Sequence, residues 1–115
     1  GNDTFNKVTG RIEDGTIQEP DFLLLNKEET YNWPNPARNE TMIRYQTSEP
    51  AEIVIRVMTQ SGRLLEEIRF QNTSTLPSEY RIDTSKWASG AYYALVEARA
   101  NGRTEQELVK IAIVR

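Results

Sequence analysis

A catalyst needs side chains that can move protons, attack as nucleophiles or hold metal ions, and this chain offers few arrangements of that kind. Glu66 and Glu67 are adjacent carboxylates, but glycoside hydrolysis needs two carboxyls held about 5–9 Å apart across a cleft. Neighbours on a strand point to opposite faces, so this pair does not converge. Ser85 precedes Lys86, the residue types of a serine nucleophile with a lysine base, yet neighbours in a turn do not align for that proton transfer. Glu13, Asp14, Glu19 and Asp21 supply the oxygens that calcium prefers. They lack the spacing of an EF-hand loop and read as a solvated acidic linker. Trp33 and Trp87 are the candidate binding aromatics, able to form a platform under a sugar ring. The structural alternative is that each packs as core or lid at a sheet edge. Tyr92 and Tyr93 alternate across one strand, which puts one in the core and the other on the surface.

Composition narrows the chemistry further. The chain has no cysteine and no histidine, which excludes thiolate nucleophiles, Cys/His zinc sites, serine–histidine triads and histidine general bases. No metal, cofactor or catalytic residue is expected. Acidic residues number 17 against 14 basic ones, for a net charge of -3. There is no basic stripe of the kind that nucleic-acid binders present, and no apolar run near the ~20 residues that span a bilayer. Neither nucleic acid nor a membrane span is therefore expected. At 115 residues the chain fits one domain and can bury a core without staples. It begins at Gly1 without methionine or a secretory leader, which reads as a fragment or a processed piece.

The elements that would position these residues are strands. Residues 1–29 are polar and irregular; turn chemistry at Glu13-Asp-Gly-Thr16, flanked by Val8, Ile12 and Ile17, fits a loose hairpin, but the preferred reading is a linker or extension of a larger protein. The apolar cluster Phe22-Leu-Leu-Leu25 is expected to dock on the domain. Thr30-Tyr-Asn-Trp-Pro-Asn-Pro36 marks the domain start at residue 30. Its prolines force Trp33 and Asn35 into extended geometry and remove two backbone donors, so the segment is an edge or an entrance.

From residue 40 the alternation is that of β-strands. Residues 41–47 place Ile43 and Tyr45 on one face. Ala51–Thr59 places Ile53, Ile55 and Val57 inward and Glu52 and Arg56 outward, over about 30 Å at ~3.3 Å per residue. Ser61-Gly62 turns the chain back into residues 63–70. A plain register there sets Arg56 opposite Glu67 and Ile55 opposite Ile68 but drives Glu66 into the core. A bulge near Glu66-Glu67, letting Leu65 and Ile68 both face inward, is the preferred solution. Residues 71–78 read as a loop, 79–83 as a short strand and 83–90 as a turn in which Gly90 takes a positive φ. Residues 91–100 alternate with Tyr92, Ala94, Val96 and Ala98 on one face. Asn101-Gly102 then signals a tight hairpin into a final strand over 104–115. Six or seven short strands at this spacing make an all-β antiparallel sandwich.

Read in order, Tyr31-Asn-Trp-Pro-Asn-Pro36, Thr41-Met-Ile-Arg-Tyr45, Ala51–Val57, Ser61-Gly62-Arg63, Ile82-Asp-Thr-Ser-Lys-Trp-Ala-Ser-Gly-Ala-Tyr-Tyr93 and Lys110-Ile-Ala-Ile-Val-Arg115 resemble a known bacterial family. It is the immunoglobulin-like C-terminal sorting domain of the type IX secretion system. A more distant resemblance is to the immunoglobulin-like domain of flagellar hook-capping proteins. Trp33 in the entrance, Ala91 in place of a β-branched residue and Arg115 in place of lysine depart from the family pattern. The resemblance implies an immunoglobulin-like sandwich of about seven strands over residues 30–115. It implies a non-catalytic domain that directs a larger protein out of the cell or onto its surface by way of the periplasm. It carries the sorting signal onto Gly90, Tyr92, Lys110, Val114 and Arg115. The implied partners are secretion-machinery proteins, with a surface glycan or lipopolysaccharide as a further one. Without the resemblance, Lys110 reads as a solvated edge charge and Arg115 as a free end. The rival expectation is an immunoglobulin-like binding or spacer module of an extracellular enzyme or adhesin, with Trp33 and Trp87 as contacts. Asn2-Asp-Thr4, Asn39-Glu-Thr41 and Asn72-Thr-Ser74 fit the glycosylation pattern, which carries little weight in a bacterial protein.

Overall fold

The computed structural model describes residues 22–115. The turn at Glu13–Thr16, its flanking apolar residues, the four linker carboxylates and the Asn2 triplet lie outside the described residues.

The alternating segments form seven strands: β1 (Tyr31–Trp33), β2 (Glu40–Tyr45), β3 (Ala51–Thr59), β4 (Leu64–Asn72), β5 (Ser78–Asp83), β6 (Gly90–Ala100) and β7 (Arg103–Ile113). They make two antiparallel sheets, one in the order β1-β2-β5 and the other β4-β3-β6-β7. Apolar residues of period two put Ile43 and Tyr45 from the smaller sheet against Ile53, Ile55, Val57, Ala94, Val96 and Ala98 from the larger one, all buried. This is the immunoglobulin-like sandwich that the sequence implies. The hairpin between β6 and β7 turns on Asn101 and Gly102, both at positive φ (52° and 76°). That geometry matches the twist of the flanking strands, and an Asn-Gly pair adopts it at little cost.

The β3–β4 hairpin carries a bulge. Arg56 pairs with Glu67 and Ile55 with Ile68, as in the plain register, but between Val57 and Met58 the register shifts, so that Met58 faces Leu64. The extra residue is Leu65, which packs against the core while Glu66 stays exposed. The bulge thus sits one residue earlier than Glu66-Glu67, and it spares a carboxylate from burial, which would cost more than an irregular ladder. Strand β4 also continues to Asn72, beyond the expected loop start. Its buried amide donates to Thr47 Oγ1 and to the Ser74 carbonyl, both at 2.9 Å.

The outer face of the larger sheet is divided. Towards the Asn101 turn lie three arginines and three glutamates in alternation. Arg56 bonds Glu67 (3.1 Å) and Glu97 (3.3 Å), Arg69 bonds Glu67 (2.8 Å), and Arg99 bonds Glu97 (2.8 Å). Glu52 stands 3.9 Å from both Arg69 and Arg99. The hydrogen bond from Arg69, joined by one from Arg56, holds the Glu67 carboxyl below the usual carboxylate range. The long side chains cover Val54, which points outward and is nevertheless fully buried, so their stems serve as apolar cover while their heads stay paired. Towards the Ser61 turn the same face changes character and becomes apolar.

The segment before β1 belongs to the same packed body. Leu24 and Leu25 are 0% and 1% exposed, whereas Leu23 is 68% exposed. Leu25 bridges Thr47 beside β2. The backbone N–H groups of Leu24 and Leu25 both donate to Glu105 Oε1 on β7, at 3.1 and 2.8 Å. A 3-10 turn, Lys27–Glu29, leads into β1.

Candidate functional site

The entrance, the loop before β6 and the tail after β7 meet at one end of the sandwich. Pro34 and Pro36 lack the N–H groups needed to pair with a neighbouring strand, and the residue between them supplies the missing bonds. Asn35 accepts from the Ala112 N–H through Oδ1 (3.0 Å) and donates through Nδ2 to the Lys110 carbonyl (3.3 Å). One step on, the backbone takes over. Ala37 donates to the Ala112 carbonyl (2.8 Å) and accepts from Val114 (3.0 Å), a parallel bridge to Ile113. The entrance therefore begins in one sheet as β1 and ends against the edge of the other. Asn32, buried beside it, donates to Thr41 Oγ1, which donates in turn to the Pro34 carbonyl, each at 3.1 Å.

The loop of residues 84–89 closes the other side. Thr84 is fully buried, its N–H donating to the Asn39 carbonyl and its hydroxyl to the Arg38 carbonyl, both at 3.0 Å. The hydroxyl and backbone N–H of Ser85 both donate to Asp83, which holds that carboxyl below its ordinary range. Ser85 is therefore engaged with Asp83, as a turn residue would be. Trp87 packs against Tyr92, ring centroids 4.7 Å apart, and Tyr92 donates its hydroxyl to the Ala88 carbonyl (2.7 Å).

Arg115 joins the pieces. Its N–H donates to Ser89 Oγ (3.0 Å), its Nε to the Trp87 carbonyl (2.8 Å), its Nη1 to Asn39 Oδ1 (3.3 Å) and its Nη2 to the Thr84 carbonyl. A planar guanidinium with donors on every edge suits a ring of carbonyls that a single ammonium could only partly satisfy. The reading of Arg115 as a free end is thus corrected: the side chain is exposed but held by the loop of residues 84–89 and by Asn39. Strand β7 stops at Ile113, and Val114 and Arg115 follow as this clasped tail.

Of the residues carried over by resemblance, Gly90, Tyr92, Val114 and Arg115 come together here. Gly90 opens β6 at φ 151° opposite Ile113, a backbone setting that a side chain would strain. Val114 is 46% exposed. Lys110 is exposed on the outward face of β7, opposite Tyr93. The two tryptophans lie on different surfaces. Trp87 faces inward onto Tyr92 and the core. Trp33 is 47% exposed on the smaller sheet, its indole N–H donating to Glu79 Oε2 at 2.6 Å. Sequence reasoning missed Asn35, Asn39 and Ser89, the side chains that hold the tail. An asparagine between two prolines was the one available signal, since only its side chain could replace the lost donors.

The arrangement is one of display. Among the described residues no group of three or more His, Cys, Asp or Glu side chains is placed to hold a metal ion. No helix among them is long and apolar enough to cross a membrane. What the end of the sandwich offers is a fixed tail, an exposed valine and an exposed ammonium.

No curated protein matches the chain. Among solved structures it is similar to dimeric latent PorU from Porphyromonas gingivalis, with 22% identity and a TM-score of 0.62 over 90% of this chain and 10% of that one. This likeness speaks to the fold, and the chain spans about a tenth of the PorU chain's length. It is also similar to the endo-beta-1,4-mannanase from Thermotoga petrophila, with 15% identity and a TM-score of 0.49 over 68% of this chain and 17% of that one. Residues 32–111, from the entrance to the buried end of β7, match the family described as the secretion system C-terminal sorting domain. The chain therefore belongs to that family, whose members act as sorting domains for type IX secretion and imply export to the bacterial cell surface or the extracellular space.

Proposed function

We propose that this chain sorts the larger protein that carries it by presenting a folded sandwich with a clasped tail, the signal residing in Gly90, Tyr92, Lys110, Val114 and Arg115. The observation that carries this reading is the convergence of entrance, loop and tail through Arg115 and Asn35. Gly90, Tyr92 and Arg115 set the shape of that end, while Lys110 and Val114 are its exposed contacts. The folded unit extends N-terminally to Leu24, because a buried leucine pair belongs to the body it is buried in. Residues before it link to the cargo. The domain itself is non-catalytic, in keeping with its family, and any activity belongs to the cargo.

The test is export. The whole chain, fused to a reporter in a type IX host, is expected to deliver the reporter outside the cell. Exchanging Lys110 and Arg115 together for glutamine is expected to cut secretion about tenfold while a cooperative melt persists, the loss of one or two charge-assisted contacts. Undiminished secretion of a folded double variant removes these residues from the signal.

A surface glycan or lipopolysaccharide is the further partner that the resemblance implies. Trp33 supports it, as the more accessible indole, 47% exposed, of a residue type that stacks on sugar rings. Binding on a glycan array that disappears with Trp33→Ala is the expected result. An array that stays blank for the unaltered chain ends that proposal.

A further inference from the structure

The apolar half of the larger sheet's outer face has no cover among the described residues. Leu64, Met58 and Tyr93 lie in one row across β4, β3 and β6, and that row ends on β7 at Lys110. In the next row Leu95 faces Leu108. Leu64 and Leu108 are 51% and 55% exposed, and a shallow hollow of about 220 Å³ opens among Met58, Thr59, Gly62, Tyr93 and Leu108. Isolated surface leucines are ordinary, but five adjoining apolar side chains on one face mark a contact surface.

From this contrast we infer that the corner formed by Met58, Leu64, Tyr93, Leu95, Leu108 and Lys110 docks a short segment of a partner protein that presents aliphatic or aromatic side chains and a carboxylate. This deepens the sorting function proposed above and rests on it, the partner being a protein met during export. Charge selects the occupant. The rest of the face is self-neutralised, three arginines against three glutamates, each within reach of an opposite charge. Among the described residues Lys110 pairs with no carboxylate, and of the charges on this face it is the one that has no opposite charge within reach there. Electrostatic complementarity of that kind sets register and excludes wrong partners. Size points the same way. Four strands at ~4.8 Å spacing and two rows of side chains make a patch only about 15 Å by 10 Å. A stable dimer needs roughly 800 Å² per partner, several times that area. A short segment fits where a second copy of this chain would leave most of its interface uncovered.

The experiment uses the 115-residue chain fused to the exported reporter. Leu64→Ser combined with Leu108→Ser is expected to lower secretion about tenfold, the scale of losing one well-packed anchor. Leu76→Ser, at a leucine 70% exposed in the β4–β5 loop, is expected to leave secretion unchanged. Lys110→Glu is expected to lower it and Lys110→Arg to preserve it, since the sign of the charge decides. If the double serine variant fails to fold, the Lys110 pair decides alone, because an exposed charge on the outward face can be reversed without disturbing the core. Secretion that is normal in folded patch variants and in Lys110→Glu overturns the docking surface and removes Lys110 from the signal, while sorting by the rest of the domain stands. A fusion of the unaltered chain that stays inside the cell overturns both. Sedimentation that shows a micromolar dimer converted to monomer by the double serine variant overturns the segment in favour of a second copy.

Discussion

Leu24→Ala is expected to lower the melting temperature by roughly 10–30 °C, whereas Leu23→Ala, one residue away, is expected to shift it by no more than a few degrees. Leu24 is fully buried in the core and its neighbour is mostly in solvent. Removing a buried leucine side chain costs about 2–5 kcal/mol, because the packed surroundings close only partly over the cavity. In a domain of this size each 1 kcal/mol moves the midpoint by about 4–8 °C. The segment has little room to yield. The Leu24 carbonyl accepts from Ser48 (2.9 Å) and its N–H is held by Glu105. Equal melting of the two alanine variants in a calorimeter would show that the stretch before β1 is a loose appendage and not part of the core.

The same pair of leucines marks where the sequence stops being legible. Phe22-Leu-Leu-Leu25 announces an apolar cluster, but a run without alternation cannot say which side chains turn inward. That is decided by Glu105, some 80 positions away. Strands β2, β3 and β6 were readable because period-two alternation is a local property and survives without any knowledge of partners. The bulge was half readable: the conflict between Glu66 and the core showed that the ladder must slip, while the exact residue, Leu65, depended on how the Ser61-Gly62 turn closes. The outer face was least readable. Arg56 opposite Glu67 follows from one hairpin, yet the cover over Val54 requires β6 to lie alongside β3 and bring Glu97 and Arg99 with it.

The candidate site divides in the same manner. Its motifs stand in recognisable order along the chain, so Gly90, Tyr92, Lys110, Val114 and Arg115 could be named. Their meeting could not be derived, because the contact between the entrance and the tail joins residues some 75 positions apart. The closing of that gap also changes what the tail is. A basic residue at the end of a strand suggests a loose hook. Four hydrogen bonds to Ser89, Trp87, Asn39 and Thr84 make Arg115 part of the frame, while Lys110 and Val114 beside it stay exposed.

Deleting residues 110–115 is therefore expected to abolish both the cooperative melt and secretion of a fused reporter. Ile111 and Ile113 are 0% and 2% exposed, and losing either side chain alone costs about 2–5 kcal/mol. Together they approach the whole stability of a typical domain, about 5–15 kcal/mol. The backbone loss compounds this. Gly90, Ala91, Tyr92 and Tyr93 lose their ladder partners on β7, Ala37 loses its bridge, and the loop of residues 84–89 loses Arg115. Silence in an export assay after such a deletion then reports an unfolded domain as readily as a missing signal. The side-chain exchanges at Lys110 and Arg115 separate the two, since neither removes an apolar group from the core. A deletion variant that still melts cooperatively within a few degrees of the intact chain would show that β7 contributes its end to recognition alone. In that case the clasp through Asn35 and Arg115 would hold nothing that the fold depends on.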